Sequence, residues 1–196
     1  MPSPWVPPAI GCVIVVVLSR IMLSPTHSFL LLLTRKKTHK TNNLLWHLQN
    51  GVLSNTLRPQ VWVVLIGTND IGILNCSSDR TVPRIVGVVQ YLKAQRPESK
   101  VLLHGLLPRS NYKTTSKLGE KNEAVVRVNQ QLQAFYADQD PTVTYLDVAS
   151  VFLRDHEENR GQEINTDRMP DGLHPNVDGL VAWAPFIAKE LYKLLR

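Results

Sequence analysis

Residues 61–70 read Val-Trp-Val-Val-Leu-Ile-Gly-Thr-Asn-Asp, and the fold class follows from them. From 61 to 66 the run is apolar, mostly β-branched, of strand length, and does not alternate with polar residues. Such a run suits a strand covered on both faces, as in the middle of a parallel sheet. Gly67 stops it, and three small polar residues come next. In open α/β sheets ligands bind in the crevice beyond the carboxyl ends of the strands. Asn69 would place a side-chain amide there, and a fixed N–H donor stabilises a developing oxyanion. The same residues also make an ordinary turn, with Gly67 breaking the strand and Asn69 and Asp70 capping the next element.

Outward from this strand the chain alternates between helix and strand patterns. Upstream, Leu44, Leu45, Trp46 and Leu48 form a short helical face that ends near Asn50-Gly51, a C-cap pair. Downstream, Val82, Ile85, Val86, Val89 and Leu92 keep helical periodicity up to Pro97. Residues 101–107 predict a second strand stopped by Pro108, and 110–119 a polar loop containing lysines. Val125, Val128, Leu132 and Phe135 mark a helix, and 142–148 a third strand. This order predicts a parallel sheet wrapped by helices through right-handed crossovers.

Near the other end, Asp171-Gly172-Leu173-His174-Pro175 precedes apolar residues at 180, 184, 187, 188, 191 and 195, which is helical spacing. An Asp and a His three apart can face one pocket, the carboxylate orienting the imidazole and supporting its positive charge. Alone, the pair also fits a polar loop ending at a helix start. Together with Gly67-Thr68-Asn69-Asp70 it resembles blocks III and V of the SGNH (GDSL-type) hydrolases, G-x-N-D and D-x-x-H-P. The stretches TNNLLWHLQNGVL (41–53), VLLHGLLPR (101–109) and KNEAVVRVNQQL (121–132) narrow the resemblance to the platelet-activating-factor acetylhydrolase catalytic subunits. The resemblance implies a flavodoxin-like three-layer α/β/α sandwich, no metal or cofactor, and ester cleavage by a Ser-His-Asp triad. Residue by residue it implies His174 as general base, Asp171 as its orienting carboxylate and Asn69 as an oxyanion-hole donor. Gly67 and Asp70 belong to the same block, with Asp70 expected to hold the loop.

Two expected blocks have no counterpart. No Gly-Asp-Ser occurs in the chain, and Lys37-Thr38-His39-Lys40 stands where the block II glycine belongs. Both gaps fall in residues 1–40, which differ from the rest. Prolines open the segment, an apolar run spans 10–18, Arg20 and Pro25 interrupt, a second run spans 29–33, and basic residues close it. Neither run is long enough for a membrane span, and Arg20 divides them. The expectation is a replaced first strand and crossover on 1–40, followed by an N-terminally truncated SGNH-like domain over 41–196. Ser19, after the first run, is the one nucleophile candidate there. Arg20 comes directly after it, no Gly-Asp precedes it, and about ten residues to the next run are too few for a parallel crossover.

Composition narrows the function classes. The 196 residues suffice for one domain with a real core. Cys12 and Cys76 provide neither a disulfide framework nor metal-ligand spacing. The net charge of +6 arises largely from residues 1–40, which carry five basic and no acidic residues; 41–196 carries 17 basic and 16 acidic. A nearly neutral domain offers no nucleic-acid surface. His47 and His104 read as packing or surface residues, Arg109 and the lysines of 110–121 as solvated, His156 as part of an exposed turn, and Asp147 as a cap. The expected function is an acetyl or short-acyl esterase impaired as written, with a small acyl ester as substrate. It is expected in the cytoplasm, with a homo-oligomer open. The competing readings are a non-catalytic binding protein on this scaffold and an esterase anchored in a membrane through residues 9–33.

Overall fold

A computed structural model describes residues 14–19, 28–32, 40–110, 116–137, 140–156 and 161–196. In chain order these form β1 (Ile14–Ser19), β2 (Ser28–Leu32), α1 (Thr41–His47), β3 (Val61–Leu65), α2 (Thr68–Gly72), α3 (Ser78–Gln95), β4 (Lys100–His104), α4 (Glu120–Tyr136), β5 (Val143–Leu146), β6 (Leu153–Asp155), β7 (Gln162–Ile164) and α5 (Val177–Leu194). One turn of π-helix comes after α1, and a 3-10 turn at Ala149–Phe152 comes after β5.

The stretch that decides the fold is β3, which is buried along its whole length. It pairs in parallel with β4, and β4 in parallel with β5, as the alternation of elements predicts. Side chains alternate between the two faces of a strand, and β3 fills both. Trp62 and Val64 join Val101, Leu103 and Val143 beneath Ile85, Val89 and Leu92 of α3 and Val125, Val128 and Leu132 of α4. Val61, Val63 and Leu102 face the other way, against Ile187, Leu191 and Leu194 of α5. Helices therefore lie on both faces of the sheet, in three layers. Burying each such Leu, Ile or Val contributes about 1.5–3 kcal/mol.

The strand and helix ends are set by local chemistry. α3 stops at Arg96, before Pro97, and Gly51 (φ 106°) turns the chain out of the π-helical turn, as the Asn50-Gly51 signal implies. Asn176 caps the start of α5, its Oδ1 accepting the Gly179 N–H at 2.9 Å. The β4 and β5 ladders are shorter than the apolar runs 101–107 and 142–148. Past His104 the backbone remains buried without strand pairing. The β6–β7 hairpin, three residues a side, is too short to leave an alternation that sequence reading could detect.

At the other edge the sheet continues as β2-β1-β3, and here the direction changes. β1 runs antiparallel to β3, with Ile14 opposite Leu65 and Leu18 opposite Val61, and β2 runs antiparallel to β1. Eight residues, 20–27, join β1 to β2. That suffices for an antiparallel hairpin and not for a crossover helix. Two segments of the apolar 9–33 region are thus strands of the sheet. Among the described residues, no helix is long and apolar enough to cross a membrane.

Candidate active site

The carboxyl end of β3 forms the first part of the site. Gly67 adopts φ 122°, a conformation that favours glycine, and a Cβ there would also displace the end of the Ile85 side chain, 2.7 Å away at Cδ1. The turn places Thr68, Asn69 and Asp70 on the short α2, all three buried. Asp70 is fully buried and does not cap α2, which corrects the turn reading. Its Oδ2 accepts the Thr41 N–H at 2.9 Å; its Oδ1 accepts the Thr41 hydroxyl at 2.7 Å and Arg84 Nη1 at 2.9 Å. One carboxylate thereby ties the first residue of α1 and the first half of α3 to the turn that carries Asn69.

The chain beyond β4 forms the second part. Asn129 of α4 takes both polar groups of Leu106, accepting its N–H at 2.8 Å and donating to its carbonyl at 2.9 Å. Asn122, two turns earlier, accepts the Arg109 N–H at 3.1 Å. Arg109 is buried, not solvated as the sequence reading had it. Its Nη1 donates to the carbonyl of Thr68 at 2.6 Å and to the Thr68 hydroxyl at 3.0 Å. Lys121 donates to the Gly72 carbonyl at 2.6 Å, so it braces α2 as well. The Ser110 N–H then reaches across to the carbonyl of Gly172 at 2.8 Å.

That carbonyl belongs to the third part, the loop before α5. Asp171 Oδ1 accepts the N–H groups of Leu173 at 2.9 Å and His174 at 2.7 Å, and Oδ2 lies 2.5 Å from His174 Nδ1. Burial alone would raise the Asp171 carboxyl. The hydrogen bonds from the His174 ring and from the two backbone N–H groups outweigh it and hold the group below the usual carboxylate range. An ionised carboxylate at Nδ1 selects the tautomer with the proton there and leaves Nε2 as the proton acceptor.

Hydrogen bonds thus link the segments carrying Asn69, His174 and Asp171, through Thr68, Arg109, Ser110 and Gly172. Gly67 and Asp70 shape and hold the turn. Ser19 is not brought to them. Its strand is antiparallel, so it lies beyond the Val61 end of β3 while Asn69 lies beyond the Leu65 end. At 3.3 Å per strand residue the two are separated by roughly 15 Å or more. His104 is a packing residue, as its place in the apolar run implies: Nδ1 lies 2.5 Å from the Gly105 carbonyl and Nε2 accepts from Trp183 at 2.8 Å. Asp147 caps the 3-10 turn through the Ala149 N–H at 2.8 Å. Among the described residues no three His, Cys, Asp or Glu side chains gather as a metal-ion cluster would need.

The sequence reading missed Thr41, Arg84, Asn122 and Asn129. The two asparagines had left a signal, since they share a helical face with Val125 and Leu132 and so are polar residues in an apolar stripe.

The model of the GDSL-like lipase/acylhydrolase family matches residues 34–180. The chain belongs to that family. Among curated proteins it is 35% identical over 113 residues to platelet-activating factor acetylhydrolase IB subunit alpha2 of Gallus gallus, a match covering 58% of this chain and 45% of that one. It is 33% identical over 113 residues to the alpha1 subunit of Homo sapiens, with the same coverage of 58% and 45%. The matches span less than half the length of these relatives. Among solved structures, a GDSL-like lipase from Bacteroides thetaiotaomicron is similar with a TM-score of 0.64 at 20% identity, over 80% of this chain and 72% of that one. A serine-to-alanine mutant of an acetyl esterase, crystallised with acetate, is similar with a TM-score of 0.58 at 19% identity, over 80% and 68%. The family match begins at residue 34, after β2.

Proposed function

We propose that this chain carries the basic and electrophilic half of a short-acyl-ester hydrolase site and lacks the nucleophilic half, so that as written it is nearly inert. In the complete reaction a serine oxygen attacks the ester carbonyl, and His174 Nε2 takes the serine proton. Asn69 donates to the oxyanion. His174 then hands the proton to the departing alcohol, and water releases the acyl group by the same steps. Asp171 keeps Nδ1 protonated and supports the imidazolium. The observation that carries this reading is the 2.5 Å contact between His174 Nδ1 and Asp171 Oδ2 in a loop anchored to the chain beyond β4. The acetyl-sized acyl group is supported by the names of the relatives.

The impairment is supported by the register of β1, which leaves Ser19 at the opposite end of the sheet from the base. That register also favours a second reading, in which the scaffold binds an acyl group or a partner without cleaving. Removal of a triad member costs orders of magnitude in rate and leaves a residue due to the oxyanion hole and binding. The test is hydrolysis of p-nitrophenyl acetate by the full chain. Turnover near the uncatalysed rate, unchanged in Ser19→Ala, is expected. Turnover that Ser19→Ala abolishes would make Ser19 the nucleophile and overturn the reading.

A further inference from the structure

We infer that Arg109 is a positioning residue that holds the Asn69 turn in fixed register with the loop bearing Asp171 and His174. The inference rests on the reading of Asn69 as an oxyanion donor. Arg109 donates from one nitrogen to both the carbonyl and the hydroxyl of Thr68, the residue immediately before Asn69. Its guanidinium lies against Gly72, at the far end of the same short helix. A Cβ at Gly72 would stand 2.2 Å from Nη1, 2.4 Å from Nη2 and 2.5 Å from Cζ. One side chain therefore grips the five-residue α2 at both ends.

The backbone of Arg109 is fixed in turn. Asn122 of α4 accepts its N–H, and the next residue, Ser110, donates to Gly172 in the base loop. From Asn69 to His174 the path runs through two consecutive residues, Arg109 and Ser110. Arginine suits this position because its rigid planar fork can bond Thr68 while both of its Nη atoms lie against Gly72; a lysine ammonium is a point donor on a mobile stem. A donor misplaced by about 1 Å can cost a hundredfold in rate, so a residue with no contact to substrate can still govern the oxyanion hole.

The test uses the full chain with Arg109→Met, Arg109→Lys and Gly72→Ala. The last keeps Arg109 and only displaces its guanidinium, so it decides the matter if Arg109→Met fails to fold. Two signals are read by NMR. The first is amide hydrogen exchange at Asp70, Ile71 and Ile73, whose N–H groups bond to Gly67 and Asn69 carbonyls. The expected result is at least tenfold faster exchange there in Arg109→Met and Gly72→Ala, with α3 and β4 at wild-type rates and Arg109→Lys in between. Unchanged exchange in the turn, or equal acceleration everywhere, would overturn the inference. The second signal is the Asn69 side-chain amide during titration with sodium acetate. A saturable shift in the wild type, weakened at least tenfold in both variants, is expected. A wild-type shift that the variants retain in full counts against Arg109. No wild-type shift at all counts against Asn69 as the donor, while the exchange rates still decide what Arg109 does.

Discussion

Asp70 and His104 show how buried polar groups are handled in this chain, and each supports a measurable consequence. Asp70 accepts three hydrogen bonds in a fully buried position, one from the Arg84 guanidinium. Truncation to alanine leaves a charged donor and the Thr41 groups without their acceptor, a loss of about 3 kcal/mol or more. Thr41→Val removes a single bond and should cost about 1 kcal/mol. Urea midpoints of the two variants against wild type check the ordering. His104 is neutral in the fold: burial pushes its pKa down to about 4, while the ordinary value is 6.5. The unfolded chain therefore binds a proton below pH 6.5 that the folded chain refuses until about pH 4. Stability from this residue is complete above pH 6.5 and falls as the pH drops from there to about 4, by about 3 kcal/mol. His104→Gln should flatten that part of the profile in denaturant titrations between pH 7 and 4. Little of this was legible beforehand. His104 could be read as packing from its place in an apolar run, but nothing in Leu-Leu-Pro-Arg distinguishes a buried arginine from a solvated one. Its acceptor, Thr68, lies 41 residues away.

At the scale of elements the reading succeeded where one pattern had one physical meaning. A non-alternating β-branched run means a strand buried on both faces, and β3 is that strand. The helix patterns of α3, α4 and α5 place their apolar stripes on the sheet. The direction of β1 was not legible, because an apolar run of strand length looks the same pointing either way. Only the length of the following connection spoke, and it argued against a parallel crossover. The observed pairing carries a prediction for residues 41–196 alone. Without β1, the edge of β3 presents a row of unpaired N–H and C=O groups in an apolar strand, the arrangement that seeds strand-to-strand association. This fragment should self-associate at concentrations where the full chain stays dispersed, as sedimentation would detect. A monomeric fragment with a sharp thermal transition would contradict it.

The whole molecule combines a stretch matched by the family, residues 34–180, with a β1–β2 edge outside that match. The family match starts at residue 34, so the β1–β2 hairpin lies outside it, and so does the segment where the resemblance expects the nucleophile. The candidate site was legible from two short motifs because their geometry is local: G-x-N-D follows a strand, and D-x-x-H folds its carboxylate back onto its own imidazole. The asparagines and the arginine that join these motifs act over long sequence distances and emerged only from the fold. The central claim is that base and donor are assembled without a serine. The most direct measurement is the intact mass of the full chain after exposure to a fluorophosphonate, which adds covalently to a serine activated by such a base. The account predicts no adduct. A stoichiometric adduct that is lost in His174→Ala would show that an activated serine is present and would contradict it.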